Sequence, residues 1–122
     1  MFTEHSGIRQ VKGQRARRWF NSGDQDLIVW YDPDGSIYGF QLCYDLGRRE
    51  RALTWTPDEG FSHNLVDDGE EAPLTYKRTA VLVRDGTLDI VAVSKRFLET
   101  AEKLPEDVQH FVGRKLKQLR VV

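Results

Sequence analysis

The stretch 61-FSHNLVDDGEEAP-73 holds one histidine, four carboxylates and neither lysine nor arginine in thirteen residues. An imidazole among oxygen donors is ligand chemistry for Mg²⁺, Mn²⁺ or Zn²⁺. His63, Asp67, Asp68 and Glu70 therefore form a candidate metal set, with Glu71 beside them. The spacing is not H-E-x-x-H, and no second histidine lies within ten residues. Further ligands would have to come from His5, His110, Asp45 or Glu50. The simpler reading is a solvated acidic loop that keeps strand edges from associating. On that reading no metal or other cofactor is expected.

Other catalytic patterns find little support. Asp32-Pro33-Asp34-Gly35-Ser36 opens like a calcium loop, but the glycine and glutamate such a loop needs at its sixth and twelfth positions are replaced by Ile37 and Cys43. Cys43 falls inside an expected strand, where a thiol is an inert core group rather than a nucleophile. Ser62 beside His63 makes no triad by adjacency, and G-x-S-x-G is absent. The glycines never form a phosphate-cradling loop.

Charge blocks point to docking more than to catalysis. Residues 57–71 carry six acids and no lysine or arginine, while Arg48-Arg49-Glu50-Arg51 and the end of the last helix are basic. Opposed blocks of this kind serve electrostatic association. The segments 44–51 and 63–71 flank the strongest strands, and loops held on a rigid scaffold often carry function. Arg48, Arg49 and Arg51, with Trp55 and Gln41 on the same face, are the expected ligand or partner contacts. The first twenty residues hold Arg9, Lys12, Arg15, Arg17 and Arg18 against one acid, Glu4. Such an arm beside Trp19, Phe20, Trp30, Tyr38 and Phe40 could track and stack a single strand of nucleic acid. Against that, Asp24, Asp26, Asp32 and Asp34 crowd the same strand ends and repel phosphate.

These groups sit on a chain of 122 residues, enough for one domain and one core. Its net charge of −1 gives no field that would favour nucleic acid or a membrane. The single cysteine rules out an intrachain disulfide and suits a reducing cytoplasm. The start MFTEHSGIRQ has no cationic-then-apolar leader, and no apolar run reaches the ~20 residues of a membrane span.

The positioning elements are strands first and helices after. Residues 26–45 form a hairpin about the turn Asp32-Pro33-Asp34-Gly35. Alternation in 37–44 puts Tyr38, Phe40, Leu42 and Tyr44 on one face and Ile37, Gly39, Gln41 and Cys43 on the other. Further strands are expected at 17–20, 50–56, 61–66 and 74–83, with Leu53 and Trp55 sharing a face. Residues 88–93 support either a hairpin strand after Asp85-Gly86 or a helix. The steps of three and four through Ile90, Val93, Phe97, Ala101 and Leu104 favour a helix capped by Thr87, with Asp89 in its first turn. Pro105, Glu106 and Asp107 start a last helix, whose stripe is Val108, Phe111, Val112, Leu116 and Leu119.

The expected fold is α+β: an antiparallel meander sheet of about 5–6 strands, then two C-terminal helices at about 87–103 and 105–119. Residues 1–16 read as a flexible basic segment and 17–122 as a single domain. The expected function is that of a small soluble binding module for a protein or small ligand, without catalysis, and a homodimer is compatible with it. The alternatives are a metal-dependent hydrolase built on His63 and the 67–71 carboxylates, and single-stranded nucleic-acid binding.

Overall fold

The computed structural model describes residues 1–5, 10, 12–45, 50–66, 76–80 and 89–121. Among the described residues, seven strands run in chain order across one antiparallel sheet: β1 (Thr3–Glu4), β2 (Ala16–Ser22), β3 (Gln25–Tyr31), β4 (Ile37–Tyr44), β5 (Arg51–Thr56), β6 (Gly60–Val66) and β7 (Tyr76–Ala80). Two helices follow, α1 (Ile90–Thr100) and α2 (Glu106–Val121), joined through the 3₁₀ turn Ala101–Lys103. This is the expected α+β meander with C-terminal helices.

The turns explain the meander. Gly23, at φ 55°, takes the first central position of the two-residue β2–β3 turn, where a positive φ bends the chain with the strand twist. In the β3–β4 turn the Gly35 N–H donates to the Asp32 carbonyl at 2.9 Å, and Asp34 accepts from the Ser36 N–H at 3.0 Å. A bulge at Trp30/Tyr31 then shifts the register, so Tyr31 lies opposite Ile37. The expected alternation of β4 fails at this point. Ile37 packs against the core, and Tyr38 lines a cleft on the other face. One extra residue in a pair reverses the facing of all that follows on that side of it.

The register sorts the remaining side chains. Phe20, Leu27, Leu42 and Leu53 share a row that faces the helices, and Val29, Phe40 and Trp55 share the next. Every residue of the expected helical stripe from Ile90 to Leu104 is buried against them, as are Val108, Val112, Leu116 and Leu119. Phe97 is fully buried at the centre, where truncation to alanine costs about 3–5 kcal/mol.

Two boundaries differ from expectation. Asp89 is the N-cap of α1, not a first-turn residue: its Oδ1 accepts from the Ala92 N–H at 3.1 Å. A carboxylate there satisfies one of the helix's unpaired donors, so the helix reading of 90–93 holds with a later start. The N-terminal segment is not wholly peripheral either. Phe2 is buried in the core, its N–H donates to the Thr100 carbonyl at 3.2 Å, and Thr3–Glu4 pair with β2. One large aromatic near the start outweighs the basic residues that follow it. Of the expected strand 74–83, residues 76–80 form β7; the Asp85-Gly86 turn and the Thr87 cap lie outside the described residues.

Candidate functional site

Strand order brings the described ends of the two flagged segments together. Tyr44 lies opposite Arg51, and Leu53 lies opposite His63, all on the helix-facing side. The rings of Tyr44 and His63 stack with centroids 5.9 Å apart, and the Tyr44 hydroxyl meets His63 Nε2 at 2.5 Å. Burial pushes the Tyr44 phenol up to about 12, a shift that the nearby Arg51 guanidinium opposes and Asp45 reinforces. The phenol therefore keeps its proton, and which of the two groups donates across this contact is set by the tautomer of His63. An acidic catalyst or a phenolate nucleophile would need the opposite shift.

The same end of the sheet meets the start of α1 around a cavity of about 290 Å³. Tyr44, Asp45 and Arg51 line it from the sheet, Asp89, Val93 and Arg96 from the helix. Gln25 completes the wall beside Asp24. Its charges are unevenly satisfied. Arg96 pairs with Asp24 at 3.0 Å, and Asp89 caps its own helix. Arg51 lies opposite Tyr44 in the ladder, close enough to hold down the rise of its phenol pKa. Asp45 makes no ion pair among the described residues and holds a left-handed backbone, φ 57°. That conformation is uncommon outside glycine and asparagine and marks a constrained corner.

Gln25 is fully buried, and only half of its amide is satisfied. Nε2 donates to Thr100 Oγ1 at 3.1 Å, while Oε1 has no donor. A buried polar atom without a partner costs about 1–3 kcal/mol.

Of the expected contacts, Arg51 belongs to this corner, and Arg48 and Arg49 lie outside the described residues. Gln41 and Trp55 do not share a face. Gln41 pairs with Thr54 on the side away from the helices, whereas Trp55 pairs with Phe40 beneath α2. They are an odd number of ladder steps apart, and the two faces alternate. Trp55 packs on Phe111 at 5.6 Å between centroids and carries the Lys115 ammonium 3.8 Å above its ring, so it is a core-edge residue. Of the metal set, His63 is described and engaged with Tyr44; Asp67, Asp68 and Glu70 lie outside the described residues. No group of three or more metal-ligating side chains forms among the described residues.

The face away from the helices carries a broader cleft of about 990 Å³, lined by Arg15, Trp30, Tyr38, Gln41, Thr54 and Asp58 among others. Its charged groups are largely spent on each other. Arg15 stacks 3.5 Å over the Tyr38 ring and pairs with Asp32 at 2.9 Å, and the Tyr38 hydroxyl donates to Asp58. Asn64 is buried on the same face with neither amide atom bonded, but it lines neither cavity. Cys43 is buried there as well. Desolvation, reinforced by Glu50 and Asp26, pushes its thiol up to about 12, so the group is no nucleophile at neutral pH.

The sequence reading missed Gln25 and Arg96. Gln25 had a signal: it is the polar member of an i, i+2 row that continues with Leu27 and Val29 and should be wholly apolar. Arg96 had none, because its meeting with Asp24 depends on where α1 crosses the sheet.

Fold and site together define a small α+β domain with one meander sheet, two covering helices and a polar corner cavity. No family model and no solved structure matches the chain. It is similar to part of a protein named nonribosomal peptide synthetase 7 from Gibberella zeae, with 28% identity over 110 residues. That match covers 85% of this chain and 2% of the fungal protein, so the chain spans a very small part of its relative's length.

Proposed function

We propose that the protein is a non-catalytic binding module whose site is the corner cavity between the sheet end and the start of α1. The carrying observation is Gln25: a fully buried amide oxygen without a donor, in the wall of a cavity with charged groups around it. Buried polar atoms are almost always paired, so an orphan beside a cavity is best accounted for by a partner that arrives with a ligand. The neighbouring groups argue for binding over chemistry. Tyr44 in the cavity wall, and Cys43 on the opposite face of the sheet, are both driven away from their reactive ionised forms.

The likeness to a short piece of a protein named as a peptide synthetase fits a module that serves a larger machinery by recognition. The expected cytoplasmic setting, and partnership with another protein or a second copy, belong to this same proposal.

The test is a fragment screen by ¹⁵N-resolved NMR. Small polar fragments should shift the amides of Tyr44, Asp45 and Val93 together, and Ala92→Trp, which fills the cavity from α1, should abolish those shifts while leaving the rest of the spectrum intact. A screen in which no fragment moves these amides would refute the reading.

A further inference from the structure

Resting on that reading, we infer that the corner cavity recognises a primary ammonium group, held by the Asp45 carboxylate and the Gln25 amide oxygen. Among the described residues, two groups there have no partner, and both are acceptors. Asp45 is a carboxylate with no ion pair among the described residues, and Gln25 Oε1 is a buried carbonyl with no donor. Both line the same cavity.

The orientation of the Gln25 amide is fixed by its other partner. The Thr100 hydroxyl gives its hydrogen to the carbonyls of Phe97 and Arg96, each at 3.0 Å, so it can only accept from Gln25. Nε2 is thereby tied to the helix and Oε1 is left as the acceptor. A ligand that satisfies this oxygen must bring a donor.

The local charge selects which donor. Among the described residues, Asp24, Asp45 and Asp89 face Arg51 and Arg96, an excess of one negative charge. Asp24 is matched by Arg96 and Asp89 Oδ1 is spent capping its helix, which leaves Asp45 as the carboxylate with no partner among the described residues. An anion would meet that carboxylate; a cation neutralises it. The ring of Tyr44 adds a face that favours a cation. A quaternary ammonium has no N–H and leaves Gln25 unsatisfied, whereas a primary ammonium serves the carboxylate and the amide at once. At about 290 Å³ the cavity admits a head group with a short chain. The ammonium could belong to a free small amine or to a lysine side chain on a peptide; the recognition chemistry is shared.

The experiment is NMR titration of the full chain with n-butylamine, tetramethylammonium, butyrate and Nα-acetyl-lysine methylamide, all at constant ionic strength. The expected result is that n-butylamine shifts the Asp45 and Tyr44 amides and the Gln25 side-chain NH₂, with at least tenfold weaker effects from tetramethylammonium and none from butyrate. Acetyl-lysine methylamide binding as well as butylamine would assign the site to peptides, and its failure would assign it to free amines. Asp45→Asn should abolish butylamine binding without loss of fold, because asparagine tolerates the left-handed backbone that Asp45 holds. Undiminished binding in that variant overturns the inference. Butyrate or a neutral fragment shifting these amides while butylamine does not would also overturn it and leave the cavity as a ligand site. If no compound shifts them, the ammonium inference and the site fall together.

Discussion

Gln25 and Thr100, 75 positions apart in the chain, are joined by a buried hydrogen bond of 3.1 Å that ties the first residue of β3 to the last residue of α1. It is a polar weld between sheet and helix in a largely apolar layer. Thr100→Val keeps the shape of the side chain and removes the acceptor, leaving the Gln25 amide hydrogens buried and unpaired. The expected cost is about 1–3 kcal/mol. Urea denaturation checks it, with Thr100→Ser as the control that retains the hydroxyl. Equal midpoints for Thr100→Val and the parent would show that the bond contributes nothing.

Gly39 lies against β5 more closely than any side chain permits. A β-carbon added there would sit 2.4 Å from the Trp55 carbonyl oxygen, which is backbone and cannot swing aside. Gly39→Ala should therefore push β4 and β5 apart at the bulge and destabilise the protein by about 1–3 kcal/mol, as overpacking does elsewhere. Alanine normally stabilises an unstrained position relative to glycine, so the sign is diagnostic. A thermal melt in which Gly39→Ala is as stable as the parent would refute the close approach.

Much of this architecture could be read before any coordinates. The turns at Asp32–Gly35 and Pro57–Gly60, the apolar alternation between them and the three-four steps from Ile90 to Leu119 are local signals, and local signals survive translation into structure. What escaped was non-local. The register shift at Trp30/Tyr31 leaves Tyr38 as the extra residue of β4 and inverts the facing of Ile37 and Tyr38, and nothing in the alternation of β4 announces it. Phe2 was set aside with a basic tail because its partner, Phe97, is far along the chain; their rings lie 5.9 Å apart. For the site, Tyr44, Arg51 and His63 were flagged as polar segments at strand ends. That they share one corner follows from simple meander order, which places β4, β5 and β6 side by side. The cavity itself needed α1 to be set down on the sheet, and nothing in residues 90–100 specifies the crossing.

The Tyr44 hydroxyl and His63 Nε2 share a short hydrogen bond, in which a donating hydroxyl is expected. Tyr44→Phe leaves the ring stack in place and removes that donor. His63 is 6% exposed, so water replaces it poorly, and the expected destabilisation is about 1–3 kcal/mol. The tautomer should change as well. A donating Tyr44 hydroxyl predicts a ring hydrogen on Nδ1 in the parent; in Tyr44→Phe that constraint on Nε2 is gone. Long-range ¹H–¹⁵N spectra of the His63 ring, which separate the two tautomers, check this directly. An Nε2–H tautomer in the parent would show that the tyrosine does not donate.

Alkaline pH should destabilise the fold in a defined window. The Cys43 thiol rises from an ordinary 9.0 to about 12, chiefly because its thiolate would be desolvated, with Glu50 and Asp26 adding repulsion. Between those values the unfolded chain has released a proton that the folded chain retains. The folded state binds more protons, so stability falls as pH rises, by about 1.4 kcal/mol per pH unit for one group. The contribution is intact below pH about 9 and is lost on rising towards about 12. Tyr44, raised from 10.0 to about 12, acts in the same direction from a higher onset, and its partial exposure makes its share smaller. Denaturation midpoints measured between pH 8 and 11 should therefore decline, and Cys43→Ala should flatten the decline from its lower end. At pH 8 a disulfide reagent such as dithionitrobenzoate should leave the native thiol unmodified for at least tenfold longer than the thiol of the urea-unfolded chain, because the native thiol is both buried and protonated. Equal rates in the two states, or a Cys43→Ala profile parallel to the parent's, would show that the thiol is not held in the environment described.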